Sequence, residues 1–360
     1  TGQGHASRQQ PPDRDGGVSG AAAPNAQDNE VTTHPHIMSI APYIKEIGRG
    51  KDGARPLSTE QSLDLFSQVL DRQVTDLEIG AFCLAMRIKG ETAEELQGFV
   101  QATQARCLPL EEASQVALKR PLGIVTLPSY NGARKLPNLT ALLAQALAQR
   151  GVKVLVHGLA RDPARVTTAE VFEQAGLPVV SSDHELARAW SDGQPAFMDL
   201  AHLCSPLAKL LAVRWTIGLR NPGHTVAKLL NPFEAHAAQG VRSIQVVNHT
   251  HPEYALSLKD YLQLTQAHAL LMRGTEGEPV ADARRQPRFD VFLHGQAQAQ
   301  LSRAPEEGVL TQLPDLPSSH AASDTAAYMQ AVMTGAKPLP PSIAAQVDRL
   351  VDSLTALAAG

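Results

Sequence analysis

The chain has 360 residues, of which 43% are hydrophobic, 19% charged and only 4% aromatic. These proportions exclude collagen, coiled coil and wholesale disorder as the main architecture, and the length suits two domains or one large domain with an appendage. With 32 Lys and Arg against 36 Asp and Glu, the formal charge of −4 excludes a polycation that coats nucleic acid by bulk attraction, so any such role rests on a local patch.

Residues 1–33 are rich in Gly, Pro, Gln, Ala and Asp and have little to bury, which predicts a flexible tail. Their charges sum to −2 and leave −2 for the body, so removing the tail uncovers no basic protein. No apolar segment of the secretory kind opens the sequence, and the apolar stretch from Leu142 to Val156 is broken by Gln145, Gln149, Arg150 and Lys153. Cys83, Cys107 and Cys204 fit neither a CxxC pair nor a disulfide framework. A reducing, cytoplasmic setting with no membrane partner is the expectation.

Residues 34–115 read as a small all-helical domain. Ile40, Ile44 and Ile47 recur at i, i+4 and i+7, and Ser58 caps an amphipathic stretch containing Leu63, Phe66, Val69 and Leu70. Thr75 and Glu78 form a capping box for a third helix, and a fourth follows Glu91-Thr92 through Leu96, Phe99 and Val100. After Pro121 the period changes: Leu122–Leu127 reads as a strand, Leu139 to Leu147 as a helix and Val152–Val156 as a second strand. Strand, helix and strand make a βαβ unit with a parallel pair and a right-handed crossover. Further strands are expected at Pro178–Val180, Ser243–Val247 and Ala269–Met272, with Phe289–Leu293 as an antiparallel extension, whereas 296–317 is too polar to place. The fold class is α/β: a small helical domain packed on a larger α/β domain, residues 116–360, with a mainly parallel central sheet.

No GxGxxG, Walker P-loop, GxSxG or HExxH occurs. The most informative segment, Pro128-Ser129-Tyr130-Asn131-Gly132-Ala133-Arg134-Lys135, lies between the first strand's carboxyl end and the next helix, where open sheets place ligands. Backbone N–H groups near a helix start, with Arg134 and Lys135 beside them, favour a phosphate; the alternative is a solvated turn. Lys45, Arg49, Lys51 and Arg55 outnumber Glu46 and Asp52 and read either as a phosphate-contacting ridge or as a solvated face. Lys209, Arg214, Arg220 and Lys228 add cations whose spacing does not decide whether they join these groups. His157-Gly158 either faces the same crevice or is a satisfied core histidine. His249-Thr250-His251 lacks a third metal ligand and suits a turn before Pro252 better. Glu276 and Glu278, after a strand, either hold Mg²⁺ and a phosphate or are surface acids.

The segments IKEIGRGK, RIKGE, PSYNGARK, VLVHG, AVRWTIGLRNPGHTVAKL, HPEY and LLMRGTEGE resemble the anthranilate phosphoribosyltransferase superfamily (glycosyltransferase family 3), over about Met38 to Pro341. Within it they are similar to the non-biosynthetic, YbiB-type branch. The resemblance implies a homodimer whose helical domain is joined by inserted helices from about 200–230 and packs on a nucleoside phosphorylase/phosphoribosyltransferase-like α/β domain. Biosynthetic members carry a glycine-rich GTGGD loop that cradles the pyrophosphate of phosphoribosyl pyrophosphate; the matching stretch here is Thr126-Leu127-Pro128-Ser129-Tyr130. Proline removes an N–H, and side chains stand where backbone must approach closely. Their Asp-Glu metal pair aligns with Gly277-Glu278, leaving one carboxylate, and Arg220 matches an arginine used toward anthranilate.

The branch implies nonspecific binding of DNA or RNA. Lys45, Arg49, Lys51, Arg55, Arg134, Lys135 and Arg220 would hold phosphates, with Ser129, Tyr130 and Asn131 at the crevice and Tyr130 able to stack on an unpaired base. No cofactor and no catalytic residue are expected on that reading. The alternative is a Mg²⁺-dependent phosphoribosyltransferase acting on another acceptor.

Overall fold

The computed structural model describes residues 39–50, 52–119 and 122–359, so the expected tail and Lys51 lie outside the described residues. The described chain opens with α1 (Ala41–Ile47), α2 (Thr59–Leu70), α3 (Asp76–Lys89), α4 (Ala93–Gln104) and α5 (Glu111–Leu118). Local chemistry sets several starts: Ser58 with Gln61, Thr75 with Glu78 and Thr92 with Glu95 are reciprocal capping boxes for α2, α3 and α4. Each satisfies donors that a helix start leaves open. The apolar faces meet at Phe66, Phe82 and Phe99, all fully buried, with Phe66 and Phe99 stacked at 4.6 Å between centroids and Phe82 edge-on to both. Burying each such ring contributes about 2 kcal/mol.

Two basic segments of the helical part are tied into the structure itself. In RIKGE, Lys89 Nζ reaches the fully buried Glu95 carboxylate at 2.6 Å, and Glu95 also accepts the N–H groups of Leu57 and Thr92. In IKEIGRGK, α1 ends at Ile47, so Arg49 is not on a helix with Lys45. Arg49 turns back, pairing with Glu46 at 2.9 Å and donating to the Lys45 carbonyl.

The rest of the chain runs β1 (Ile124–Ser129), α6 (Thr140–Gln149), β2 (Lys153–Gly158), α7 (Thr168–Gln174), β3 (Val179–Val180), α8 (Asp183–Ser191) and β4 (Ala196–Asp199). Then come α9 (Leu200–Leu203), α10 (Ser205–Ala212), α11 (Arg214–Ile217), α12 (Gly223–Leu229) and a 3₁₀ turn, Glu234–Gln239. It closes with β5 (Ser243–His249), α13 (Tyr254–Leu264), β6 (Ala269–Arg273), β7 (Phe289–Leu293), β8 (Gln296–Ala297), α14 (Ala322–Met333) and α15 (Pro341–Ala359). The strands form one sheet in the order β3-β4-β2-β1-β5-β6-β7-β8, parallel as far as β6 and antiparallel at β7 and β8. The helical start and the mainly parallel sheet are as the sequence predicts; β4, four residues long, carries too little pattern to have been anticipated.

Side chains alternate between two apolar clusters, as the period of two requires. Ile124 and Leu155 join the cluster shared with the helical part, which α10, α12 and α13 extend by packing on α2 and α4. Val125, Leu127, Val154 and Val156 face the other cluster, with Leu142 of α6, Phe172 of α7 and Leu350 of α15. β1 and β2 are buried along their whole length, as expected of central parallel strands.

Candidate anion-binding site

β1 lies between β2 and β5, so the crossover that follows it runs to one side and the later crossover from β4 to β5 reaches the other, and the loops after β1, β2, β5 and β6 lie at the carboxyl edge. Pro128 helps to open this point. Ile124 N–H donates to the Arg242 carbonyl on the β5 side, and an N–H at 128 would point the same way. Pairing with β5 stops at Thr126 and Gln245, so the missing donor costs no ladder bond there.

The loop after β1 does present its N–H groups to an anion, but the anion belongs to the protein. Asn131 and Gly132 N–H donate to Glu278 Oε1 at 2.8 and 2.9 Å, while Ser129 Oγ and Thr168 Oγ1 donate to Oε2. Arg134, Lys135 and Leu136 N–H all donate to Glu276 Oε2 at 3.1 Å. Burial pushes the Glu276 carboxyl up, but those three donors and nearby Arg165 outweigh it and hold the carboxyl below its usual range. Gly277 sits at φ +87° against Asn131, where a Cβ would collide with the amide.

The expected site residues therefore separate. Ser129, expected at a phosphate, is buried and engaged with Glu278 and Thr168. Glu278, expected at a metal, is buried and saturated by protein donors, and no group of three or more His, Cys, Asp or Glu among the described residues could hold a metal ion. The residues present do not fit Mg²⁺ at this position.

Tyr130, expected at a base, is buried. Its hydroxyl donates to His157 Nδ1 at 2.5 Å, and His157 Nε2–H donates to the Leu230 carbonyl at 3.0 Å. Burial pushes the Tyr130 phenol well up and the imidazole down to about 4, so both are neutral. Gly158 is needed because a Cβ would strike the Ser129 carbonyl. His157-Gly158 is thus core and not crevice. Lys45, Arg49, Arg55, Arg134 and Lys135 are exposed and line neither of the cavities described next.

Beside the filled loop lies a cavity of about 460 Å³ lined by Asn131, Arg165, Arg214, Arg220, Thr250 and Glu276, among others. Arg165, Arg214 and Arg220 have no ion pair among the described residues, although carboxylates elsewhere hold Arg106, Arg161 and Arg284. Arg220 is pushed below its ordinary value by burial and by Arg214 and Arg165. Sequence spacing left Arg214 and Arg220 undecided and missed Arg165, which follows β2 in a turn. The signal was available: a cation after β2 lies at the same sheet edge as one after β1.

A second cavity, about 390 Å³, shares Arg220, Thr250 and His251 with the first and adds Arg87, His224, Lys228, Asn248 and His249 among apolar walls that include Met86, Leu96 and Leu258. Both amide atoms of Asn248, His224 Nε2 and His249 Nδ1 are buried with no partner among the described residues. Burial, with Arg220 next, lowers His224 to about 3 and Lys228 to about 8. The two chambers together form an excess of positive charge with an adjoining set of unpaired hydrogen-bonding groups.

Comparison with known proteins defines the class. The helical bundle domain of a glycosyl transferase family matches residues 41–107. The fold is that of anthranilate phosphoribosyltransferase from Thermus thermophilus (TM-score 0.60, 18% identity, 88% of this chain and 96% of that one). It is also that of the Saccharomyces cerevisiae enzyme in complex with PRPP and Mg (TM-score 0.62, 16% identity, 90% and 91%). The chain is similar in sequence to anthranilate phosphoribosyltransferase of Symbiobacterium thermophilum, 26% identical over 235 residues, 65% of this chain and 64% of that one.

Within this TrpD-like superfamily a nearer relative is the uncharacterized protein YbiB of Escherichia coli K12, 36% identical over 310 residues, 86% of this chain and 92% of that protein. The chain belongs to the YbiB family. No described helix is long and apolar enough to cross a membrane.

Proposed function

We propose that this chain binds phosphate-rich polymers, DNA or RNA without regard to sequence, by laying their backbone across the cleft of Arg165, Arg214 and Arg220. The observation that carries this reading is a pairing imbalance at one sheet edge. The loop that would grip a pyrophosphate is filled by Glu276 and Glu278, while the arginines beside it have no ion pair among the described residues. Guanidinium groups that line a cavity without an ion pair favour an external phosphate, which they can meet with two parallel hydrogen bonds. Exposed Arg134 and Lys135, whose backbone N–H groups bond Glu276 of the cavity wall, extend the basic path as positioning contacts.

We place this activity in a homodimer. Leu77, Leu84 and Ile88 recur along α3 on one face and are 84%, 49% and 54% exposed, an apolar ridge that a second copy would cover. Leu84→Glu should shift the sedimentation coefficient to that of a monomer.

The direct test is fluorescence anisotropy of a labelled oligonucleotide at two salt concentrations. Affinity should fall steeply with salt, and Arg165→Glu with Arg220→Glu should lower it on the order of a hundredfold for all sequences alike while flattening the salt slope by about 2. No binding at low salt, or a slope untouched by the double reversal, overturns the reading.

A second reading, a phosphoribosyltransferase acting on an unidentified acceptor, is favoured by the names of the sequence relatives and by the unpaired Asn248, His224 and His249 next to Arg220. Stoichiometric displacement of the oligonucleotide by phosphoribosyl pyrophosphate with Mg²⁺ would favour it. Saturated Glu278 and the filled loop weigh against it.

A further inference from the structure

We propose that Trp215 is a stacking platform for an unpaired nucleobase, so that the arginine cleft selects single-stranded over duplex nucleic acid. This inference rests on the nucleic-acid reading above and adds what that reading leaves open, the kind of strand.

The chain has two tryptophans with opposite placements. Trp190 is fully buried, its indole N–H donating to the Val154 carbonyl at 3.0 Å. Trp215 is 59% exposed. It stands on α11, no residue of which is buried, so the ring is not a core side chain that missed its place. α11 ends at Gly218 in the left-handed region, and the turn leads directly to Leu219 and Arg220 in the cavity wall.

The cavity and the ring are linked by Arg214. That residue lines the cavity, and its guanidinium carbon lies 4.3 Å from the Trp215 ring centroid. One short segment thus presents a largely exposed aromatic ring, with Arg214 over one face, beside cations that lack ion pairs among the described residues. This is the combination that single-strand binders use: charge to follow the backbone, an aromatic face to take a base. A duplex keeps its bases stacked inside and offers the ring nothing but its backbone. A protein partner would cover the indole equally well. However, it would also cover Arg214, which lies over the ring and has no ion pair among the described residues, and unless that partner were acidic the unpaired buried charge would be costly. Tyr130, the aromatic that the sequence suggested for this task, is committed to His157.

The experiment is a titration of intrinsic tryptophan fluorescence, run alongside anisotropy, with a single-stranded oligothymidylate, an abasic strand of equal length and a duplex. Trp190 supplies a constant background. The single strand should quench Trp215 emission, and the abasic strand should bind more weakly without quenching. Trp215→Ala should weaken single-strand binding on the order of tenfold while leaving duplex affinity and salt slope unchanged, and Trp215→Phe should restore most of the loss. Unchanged melting of Trp215→Ala would show that the fold is intact. Salt-sensitive binding with no quenching, equal affinity for the abasic strand, or an equal loss on single strand and duplex overturns the inference and leaves the nucleic-acid reading standing. No oligonucleotide binding by the unaltered protein overturns both.

Discussion

At the carboxyl edge of the sheet, five backbone N–H groups of residues 131–136 meet the carboxylates of Glu276 and Glu278. In the adjoining cleft Arg165, Arg214 and Arg220 line a wall that also holds Glu276, and none of them forms an ion pair among the described residues. Both regions are built to face negative charge, and both stand where open α/β sheets bind ligands. The first has internalised its anion and become structure; the second has not. Position at a switch point therefore identifies where a ligand can go, and the pairing census there identifies whether the place is free.

The sharpest way to break this comparison is to empty the filled side. Glu278→Ala leaves two N–H groups and two hydroxyls without their acceptor, and should cost about 3 kcal/mol or more in urea unfolding. Glu278→Gln keeps an acceptor and should lose less. An alanine variant as stable as the parent would mean that the loop is not held by its carboxylate.

Next in size is Tyr130→Phe, which strands His157 Nδ1 in a dry site and should destabilise by about 1–2 kcal/mol. Its oligonucleotide affinity should stay at the parental value; a parallel loss of affinity would put Tyr130 back in the binding surface.

The smallest effect belongs to the open side. Lys228 is lowered to about 8 by burial and then by Arg220, against an ordinary 10.5. Between those values the unfolded chain binds more protons than the folded one, so stability should rise as pH climbs from 8 to 10.5. Lys228→Met should melt higher at neutral pH and show a flatter rise. If the variant melts lower, Lys228 has an internal counter-charge and the cleft is less cationic than its geometry indicates.

Much of the fold is legible in the sequence because its signals are local. Thr75 and Glu78, three residues apart, announce α3, and the alternating sides of β1 and β2 follow from runs such as Val154-Leu155-Val156. The site is only half legible. The loop after β1 can be located from its neighbours, but its occupant arrives from Glu276 and Glu278, more than 130 residues away, and no local pattern pairs them. The same distance hides the fate of His157, whose partners Tyr130 and Leu230 come from other elements. Arg165 sits in a turn with Asp162 and Pro163 that reads as ordinary surface until β2 is placed beside β1.

The sheet's margins carry a consequence for assembly. β3 and β8, its outermost strands, are two residues long. So little free ladder gives an incoming chain almost no template for strand addition, which guards the α/β part against edge-to-edge aggregation and fibre growth. Copies of this protein that associate are thereby steered to meet through helices, and the register of any pair is set by side-chain fit and not by backbone hydrogen bonding.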